Sequence, residues 1–402
     1  MNRDLINEAL TRSVDKIYPS REEVEKKLLS GKKLKIYLGV DPTGPHLHLG
    51  HATNLLVLRR FQELGHEIIL LIGDFTARIG DPTDKSSTRQ PLTEREVKEN
   101  LKTFKKQASK VLRFSGKGAA KVEFNSKWWG KMRLADYMQI EMNFTVQQML
   151  QRDMFQERIK ENKPIGAVEF DYPILQGYDS VAMDIDMEIG GTDQTFNMLV
   201  GRDLMKIYKN KNKFVLTTKL LENPKTGKKL MNKSEGGLVN LDDEPNDMYG
   251  KVMALPDEAI IPVAEHATDI NIAELDMLKK MLTEGGMNPR DAKARVAHWV
   301  VRTFYDEKKA SVAEREFEKV FQTKELPSDI PVHHVGGKEI GIVDLLVETK
   351  LATSKSEARR LVEQGGVHLG DSTVSDVKAI ASIPSDGIIL RVGKRHFVKI
   401  IK

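Results

Sequence analysis

Two histidines, His48 and His51, stand three residues apart where a β-rich run gives way to a helical pattern. At that spacing both imidazoles can lie on one face of the first helical turn, beside backbone N–H groups that lack partners within the helix. Those donors favour an anion, and two imidazoles add hydrogen bonds to phosphate oxygens. Gly50 removes a side chain where an adenine ring could approach the backbone. By themselves, these residues fit a metal site or a capped surface helix at least as well.

A lysine-rich segment much further along the chain suits the charge of a leaving pyrophosphate. Residues 228–234 read Lys-Lys-Leu-Met-Asn-Lys-Ser and follow a turn that contains Pro and Gly. A lysine on a mobile loop can be absent from the ground state and present in the transition state. A solvated basic loop is the simpler interpretation of this segment in isolation, so its position relative to the histidines matters.

The elements around the histidines predict a parallel α/β sheet. A β-rich run over 33–40 leads through a Pro/Gly turn into a helical pattern over 50–64, which Gly65 ends. A buried-strand run follows at 67–72, so the order is strand, helix, strand. A nucleotide site is then expected at the carboxyl end of the first strand. Further alternation, with a charged helical stretch at 94–111 and a strand at 186–189, runs to about residue 230.

The length of 402 residues predicts more than one domain. We divide the chain into a Rossmann-like domain at 1–240, a helical domain at 241–325, a linker at 326–334 and a small α+β domain at 335–402. Helical patterns at 272–282 and 290–305 support the second domain, and two prolines mark the linker. In the last domain, residues 354–357 fit a capping box, and Gly365 with Gly366 ends the helix that follows.

Composition excludes several kinds of protein. The chain has no cysteine, which rules out disulfides, thiolate zinc sites and a cysteine nucleophile. No apolar run approaches the roughly 20 residues that span a bilayer, and the amino terminus lacks a secretory pattern, so a cytoplasmic location is expected. The net charge of +5 fits a polyanionic partner without requiring one. Residues 351–402 carry nine Lys or Arg against five Asp or Glu, so the tail is locally basic.

Together the two segments resemble the His-x-Gly-His and Lys-Met-Ser-Lys-Ser signatures of class I aminoacyl-tRNA synthetases. Nearly the whole chain is similar to the tyrosine enzymes of that class, in the bacterial subgroup with a short carboxyl-terminal domain. The matching segments are Tyr-Leu-Gly-Val-Asp-Pro-Thr at 37–43, Ile-Gly-Asp-Pro at 79–82, Tyr-Pro-Ile-Leu-Gln-Gly-Tyr-Asp at 172–179 and Ile-Gly-Gly-Thr-Asp-Gln at 189–194. The second signature departs from the family, because Leu230 stands where its first lysine belongs and Asn232 where serine is usual. We therefore assign a role to Lys233 and none to Lys229.

The resemblance implies a tyrosine site in which Tyr37 and Asp179 hydrogen-bond the phenol of the substrate. Phenylalanine would leave both groups unpaired, and this enzyme family is itself the standard example of that penalty, quoted at about 10⁵ in discrimination. The other implied contacts are Asp81, Tyr172 and Gln176 to the ammonium group, and Asp41 and Gln194 beside the amino acid and its reacting carboxylate.

The resemblance also implies the ATP site and the residues of the transition state. Asp193 would bind the ribose hydroxyls, and the other implied ATP contacts are Gly39, Thr43, Gly50, Asn54, Gly191 and Lys233. The implied catalytic residues, which contact the phosphates, are His48, His51, Lys85, Arg89 and Lys233. Mg²⁺ would accompany ATP, with no dedicated metal site on the protein. Solvated loop charges are the alternative for Lys85 and Arg89.

The last domain resembles the S-four-like RNA-binding module, named for a ribosomal protein. Lys355 and Arg359, with Arg360 alongside, would face RNA phosphates, where shape and backbone are read more than base edges. A solvated helix face is the alternative, since Glu357 and Glu363 interrupt the positive charge. We expect transfer RNA to be the partner, and by family analogy a homodimer.

The expected reaction has two steps: tyrosine and ATP form tyrosyl-adenylate and pyrophosphate, and the adenylate then acylates the 3′ end of tyrosine tRNA. A small-molecule adenylyltransferase is a rival, although such enzymes are usually much shorter. A tryptophan ligase is a closer rival, which Tyr37, Asp179 and the terminal module disfavour. An RNA-binding protein on an inactive scaffold is the third, suggested by the irregular segment around Leu230.

Overall fold

The computed structural model describes residues 3–82, 92–232, 237–320, 330–337, 339–370, 372–384, 386–393 and 396–402. The chain forms two compact units, Met1–Ala310 and Ser311–Lys402. The finer predicted division of the first unit at 240/241 remains a prediction. The linker predicted at 326–334 also remains a prediction, and its residues 326–329 lie outside the described residues. In the described part of the chain no helix has the length and apolarity needed to cross a membrane.

A six-stranded sheet forms the centre of the first unit. Its strands are β1 (Val14–Tyr18), β2 (Lys35–Val40), β3 (Glu67–Ile72), β4 (Lys121–Phe124), β5 (Met187–Gly191) and β6 (Phe214–Thr218). They lie in the order β1-β6-β5-β2-β3-β4, and every pair is parallel except β1 with β6. The register places Leu38 of β2 between Leu70 and Ile189. The predicted parallel α/β sheet is confirmed, and β3 has the predicted bounds.

Helices surround this sheet and continue beyond it. The helices of the first unit, of which the last ends in the second, are α1 (Arg3–Ala9), α2 (Arg21–Leu29), α3 (Leu49–Glu63), α4 (Glu94–Leu101), α5 (Phe104–Ala108), α6 (Ser126–Trp129), α7 (Leu134–Glu141), α8 (Val146–Leu150), α9 (Asp153–Lys160), α10 (Val168–Met183), α11 (Thr195–Lys209), α12 (Pro245–Met253), α13 (Ile260–His266), α14 (Ile272–Thr283), α15 (Pro289–Phe304) and α16 (Glu307–Glu318). The predicted helix at 50–64 is α3, and Gly65 follows it with a φ of +88°.

The helical stretch predicted at 94–111 forms two helices, α4 and α5, with a short break between them. In α5, the side chain of Gln107 is buried. Its amide donates to the carbonyl of Pro45 at 2.8 Å and to Thr103 Oγ1 at 2.7 Å, and its Oε1 accepts from Leu47 N–H at 2.6 Å. These bonds tie α5 to the segment that precedes His48.

The second unit is a small α+β structure. Its elements are β7 (Val332–His334), β8 (Glu339–Gly341), α17 (Ile342–Glu348), α18 (Lys355–Glu363), β9 (Val367–Leu369), β10 (Ser372–Val374), β11 (Ile380–Ser382), β12 (Ile388–Val392) and β13 (His396–Ile401). Five strands lie in the order β10-β9-β12-β13-β7, and β11 pairs with β8. Leu345, Val362 and Leu390 belong to its fully buried core.

The predicted capping box at the start of α18 forms only in part. Ser354 Oγ accepts from Glu357 N–H, but the Glu357 carboxylate accepts from Thr353 N–H at 2.7 Å rather than from Ser354. The return bond is therefore displaced by one residue. The helix ends as predicted at Gly365, which has a φ of +68°.

Candidate active site

A cavity of about 410 Å³ opens at the carboxyl ends of β2 and β5. The chain runs outwards from β2 in one direction through β3 and β4, and from β5 in the other through β6, so this is the switch point of the sheet. Ligands of doubly wound sheets bind at such a point, because adjacent loops part there. The predicted site residues that line this cavity are Tyr37, Gly39, Asp41, Thr43, His48, Gly50, His51, Asn54, Asp81, Tyr172, Gln176, Asp179, Gly191, Asp193 and Gln194. Lys85, Arg89 and Lys233 lie outside the described residues.

The two imidazoles cap the start of α3. His48 Nδ1 accepts from Gly50 N–H and His51 Nδ1 accepts from His48 N–H, each at 3.1 Å. Leu49 N–H donates to the carbonyl of Val239 at 3.0 Å. The expectation of unpartnered backbone donors beside the histidines is therefore wrong, because the rings themselves take two of them. A Cβ at Gly50 would lie 3.0 Å from His48 Cε1, so this glycine makes room for the ring.

The capping bonds decide what the histidines can offer a ligand. A ring nitrogen that accepts carries no proton, so each neutral imidazole has its proton on Nε2. Burial lowers the pKa of His48 to about 4, with a further contribution from the positive charge of Lys229. Burial lowers the pKa of His51 to about 3, with a further contribution from His48. Both rings are thus neutral near pH 7, and each offers one N–H donor suited to phosphate oxygen.

Asp179 forms the polar floor of the cavity. Its Oδ1 accepts from the indoles of Trp128 and Trp129 at 2.8 and 2.9 Å, and its Oδ2 accepts from the Asn125 amide at 3.3 Å. Burial raises the pKa of Asp179 to about 8, while the three donors act to lower it. A carboxylate has about four acceptor positions, so one more donor can be accommodated.

Tyr37 presents a hydroxyl to the same part of the cavity. Its side chain is fully buried, and its hydroxyl lies 3.3 Å from Ser180 Oγ. Burial raises the pKa of Tyr37 well above its usual value, and the charges of Glu188 and Asp179 raise it further. The phenol therefore stays protonated, and can both donate and accept.

Asp41 and Tyr172 form a second polar corner. Tyr172 donates to Asp41 Oδ2 and Thr76 Oγ1 donates to Asp41 Oδ1, both at 2.8 Å. A Cβ at Gly73 would lie 1.9 Å from Asp41 Oδ1, so the carboxylate occupies space that only glycine leaves. Gly73, which ends up beside the site, was not predicted to be part of it.

A chain of side-chain amides joins the remaining predicted tyrosine contacts. Asn197 Nδ2 donates to Gln176 Oε1 at 2.9 Å and to Gln194 Oε1 at 3.1 Å. Gln194 in turn donates to Asp81, and Gln176 donates to Glu188 Oε1 at 3.1 Å. Because the carboxylates of Glu188 and Asp81 accept these bonds, the amide groups of Gln176 and Gln194 are each held in one orientation.

The lysine-rich segment meets the cavity through a residue to which no role had been assigned. Lys229 Nζ lies 2.7 Å from Asp193 Oδ2, and both residues line the cavity. Leu230 is fully buried, and its N–H donates to the carbonyl of Leu221 at 2.8 Å. The leucine that replaces the family's lysine thus anchors the base of the segment, while the lysine before it reaches the site.

Several site residues carry no recognisable signal in the sequence. Glu188 immediately precedes a matched segment, yet a carboxylate in a buried strand has no motif of its own. Trp128 and Trp129 act through Asp179, which lies about 50 residues away along the chain. Asn54, which was predicted, is tied to the sheet because its Oδ1 accepts from Thr218.

The predicted RNA-binding residues lie on α18 in the second unit. Lys355, Arg359 and Arg360 are all exposed. Lys355 Nζ lies 2.6 Å from Asp344 Oδ1, and Arg360 lies 3.8 Å from Glu357.

A doubly wound sheet with a histidine-capped helix at its switch point is the arrangement of a nucleotide-dependent enzyme. Residues 29–322 match the family described as class I tRNA synthetases (W and Y), and residues 322–400 match the carboxyl-terminal domain described as tyrosine–tRNA ligase SYY-like. The chain belongs to this class I tRNA synthetase family.

Within the family, the chain is similar to enzymes named tyrosine–tRNA ligase. It is 45% identical to the one from Thermotoga maritima over 95% of this chain and 94% of the relative. It is 42% identical to the one from Moorella thermoacetica over 97% of this chain and 94% of the relative. Among solved structures, the tyrosyl-tRNA synthetase of Archaeoglobus fulgidus complexed with L-tyrosine has the same fold, with a TM-score of 0.60 at 20% identity over 77% of this chain and 99% of the other.

Proposed function

We propose that this chain attaches L-tyrosine to tyrosine tRNA in two steps. A carboxylate oxygen of tyrosine attacks the α-phosphorus of ATP, the bond to the β-phosphate oxygen breaks, and tyrosyl-adenylate and pyrophosphate form. A terminal ribose hydroxyl of the tRNA then attacks the carbonyl carbon of the adenylate, and AMP leaves. The observation that carries this proposal is a single cavity with a phenol-reading floor at one end and the histidine-capped start of α3 at the other.

Catalysis of the first step relies on position and charge. The carboxylate of tyrosine is already ionised at neutral pH, so no general base is needed. The Nε2–H groups of His48 and His51 donate to phosphate oxygens as charge builds on them, next to the positive end of the α3 dipole. Mg²⁺ enters with ATP and neutralises part of its charge. Lys85, Arg89 and Lys233 add positive charge at the leaving pyrophosphate.

The floor of the cavity selects tyrosine. The substrate phenol donates to the remaining acceptor position of Asp179 and accepts from Tyr37. A new donor favours the ionised carboxylate, so bound tyrosine lowers the pKa of Asp179 below its raised value in the empty site. Asp81, Tyr172 and Gln176 receive the ammonium group, and the reacting carboxylate lies near Gln194 and Asp41.

The ribose of ATP bonds to the Asp193 carboxylate. Gly39, Thr43, Gly50, Asn54 and Gly191 surround the nucleotide. Lys229 Nζ lies 2.7 Å from Asp193 Oδ2, so its ammonium group borders the position of the ribose.

Transfer RNA binds in part through the second unit, where Lys355, Arg359 and Arg360 face its phosphates. The enzyme works in the cytoplasm as a homodimer. Support for the dimer comes from large apolar side chains that α7, α8 and the turn between them leave exposed, with Leu134 74% and Met142 76% exposed. Apolar patches of this kind mark protein interfaces.

Tyrosine-dependent exchange of pyrophosphate into ATP tests the function across a panel that includes tryptophan and phenylalanine. We expect exchange with tyrosine alone, whereas exchange with tryptophan, or RNA binding without exchange, would contradict the proposal. In Tyr37→Phe the preference for tyrosine over phenylalanine should fall about tenfold, the value of one hydrogen bond. Tyr249→Phe removes the same atom outside the cavity and serves as the control.

A further inference from the structure

A buried lysine lies directly behind the tyrosine pocket. Lys213 is fully buried just before β6, and its ammonium contacts the Glu188 carboxylate and, at 2.9 Å, Ser180 Oγ. The notch it enters exists because Gly201 has no side chain: a Cβ there would lie 2.5 Å from Lys213 Nζ. Removing the two ions of a buried pair from water costs several kcal/mol per ion, which their mutual attraction must offset. Hydrophobic side chains at these positions would therefore stabilise the fold at least as well.

The pair connects to both ends of the amino acid site. Glu188 lines the cavity, and its Oε1 accepts from Gln176 Nε2 at 3.1 Å. An ionised carboxylate can only accept, so the amide of Gln176 must turn its N–H towards Glu188 and its oxygen towards Asn197. Ser180 Oγ, which receives Lys213, is also the partner of the Tyr37 hydroxyl.

We propose that the buried Lys213–Glu188 pair is a positioning element that holds Gln176 in one amide orientation, with its N–H towards Glu188. The inference rests on the proposed role of Gln176 in binding the tyrosine ammonium group. Neither Lys213 nor Glu188 reacts; they act through Gln176 and Ser180. Without the lysine, the Glu188 carboxylate loses its buried counter-charge and is no longer fixed in place, so the acceptor that orients Gln176 Nε2 can shift.

The charged groups around Glu188 support this account. Lys213 faces it from just before β6, Asp179 from α10 and Tyr37 from β2, while Arg202 of α11 donates to the carbonyl of Lys213. Desolvation lowers the pKa of Lys213, whereas the charges of Glu188 and Asp179 raise it. Removing Lys213 leaves Glu188 buried near a second carboxyl group, that of Asp179, without the cation that pairs with it.

The test compares Lys213→Met with the double variant Lys213→Met/Glu188→Gln in tyrosine-dependent exchange. In Lys213→Met, KM for tyrosine should rise about tenfold, the equivalent of one hydrogen bond. KM for ATP should stay within about twofold, because the pair does not reach the nucleotide end. Each value is taken as a ratio to wild type under the same conditions.

The double variant is the matched control, since the glutamine that replaces Glu188 is uncharged and its amide oxygen still accepts from Gln176. We expect its ratio to be within about threefold of wild type. A KM for tyrosine that is unchanged in Lys213→Met, or equally raised in both variants, overturns the inference. If Lys213→Met does not fold, a double variant with a tenfold-raised KM overturns it equally. Wild-type enzyme without tyrosine-dependent exchange would refute the proposed function instead.

Discussion

The structure gives the two nitrogens of His48 separate tasks, and substitutions can divide them. Nδ1 caps α3 by accepting from Gly50 N–H. Nε2–H is the donor that remains for phosphate. Asparagine can place an oxygen near the position of Nδ1 but has nothing at Nε2, whereas glutamine reaches the Nε2 position and caps poorly. His48→Asn, His48→Gln and His48→Ala therefore remove one task, the other, or both.

The magnitudes follow from the two bonds. A hydrogen bond to a charged group contributes about 1.5–3 kcal/mol, so losing Nε2–H should lower kcat about 10- to 150-fold. Asparagine is among the best N-cap residues, so the stability of His48→Asn should stay within about 0.5 kcal/mol of wild type. Loss of the cap in His48→Ala should cost about 1 kcal/mol. His48→Gln should lose the same stability and keep more of the activity.

Two assays separate the effects. Pyrophosphate exchange at saturating tyrosine and ATP reports kcat, and urea unfolding with hydrogen exchange at the first turn of α3 reports the cap. Activity should rank Gln above Asn and Ala, while stability should rank Asn above Gln and Ala. The reasoning is refuted if His48→Asn keeps wild-type kcat, or if activity and stability fall in parallel through all three variants.

The remaining predictions concern charge. Burial keeps the pKa values of His48, His51 and His266 at about 4, 3 and 4, below the ordinary 6.5. Between each lowered pKa and 6.5, the unfolded chain binds a proton that the folded protein does not. The free energy of unfolding must then fall as pH falls, by about 1 kcal/mol per histidine at pH 5.5, and urea midpoints that do not change from pH 7.5 to 5.5 would contradict this. Lys229→Met removes a positive charge that adds to the effect of burial, so the pKa of His48 should rise towards its ordinary value. An NMR titration of the His48 ring that gives the same pKa in both proteins would contradict this electrostatic influence of Lys229.

Local patterns carried the sequence-based predictions that the structure confirms. The alternation of apolar runs and turns predicted β2, α3 and β3, because strand and helix periods and turn glycines act over a few residues. The same patterns put the histidines at a helix start and the lysine-rich segment after the last strand. The same local patterns did not locate the break between α4 and α5 within the helical stretch.

The sequence by itself determined the order of the elements and the identity of the polar groups available to them. Only the tertiary structure decided which groups meet: the imidazoles turned onto their own helix start, two indoles converged on Asp179, and Lys213 reached Glu188 through the notch at Gly201. The reason is physical. Secondary structure responds to neighbours a few residues away, whereas a buried polar group must find its partner among whatever residues packing brings within about 3 Å.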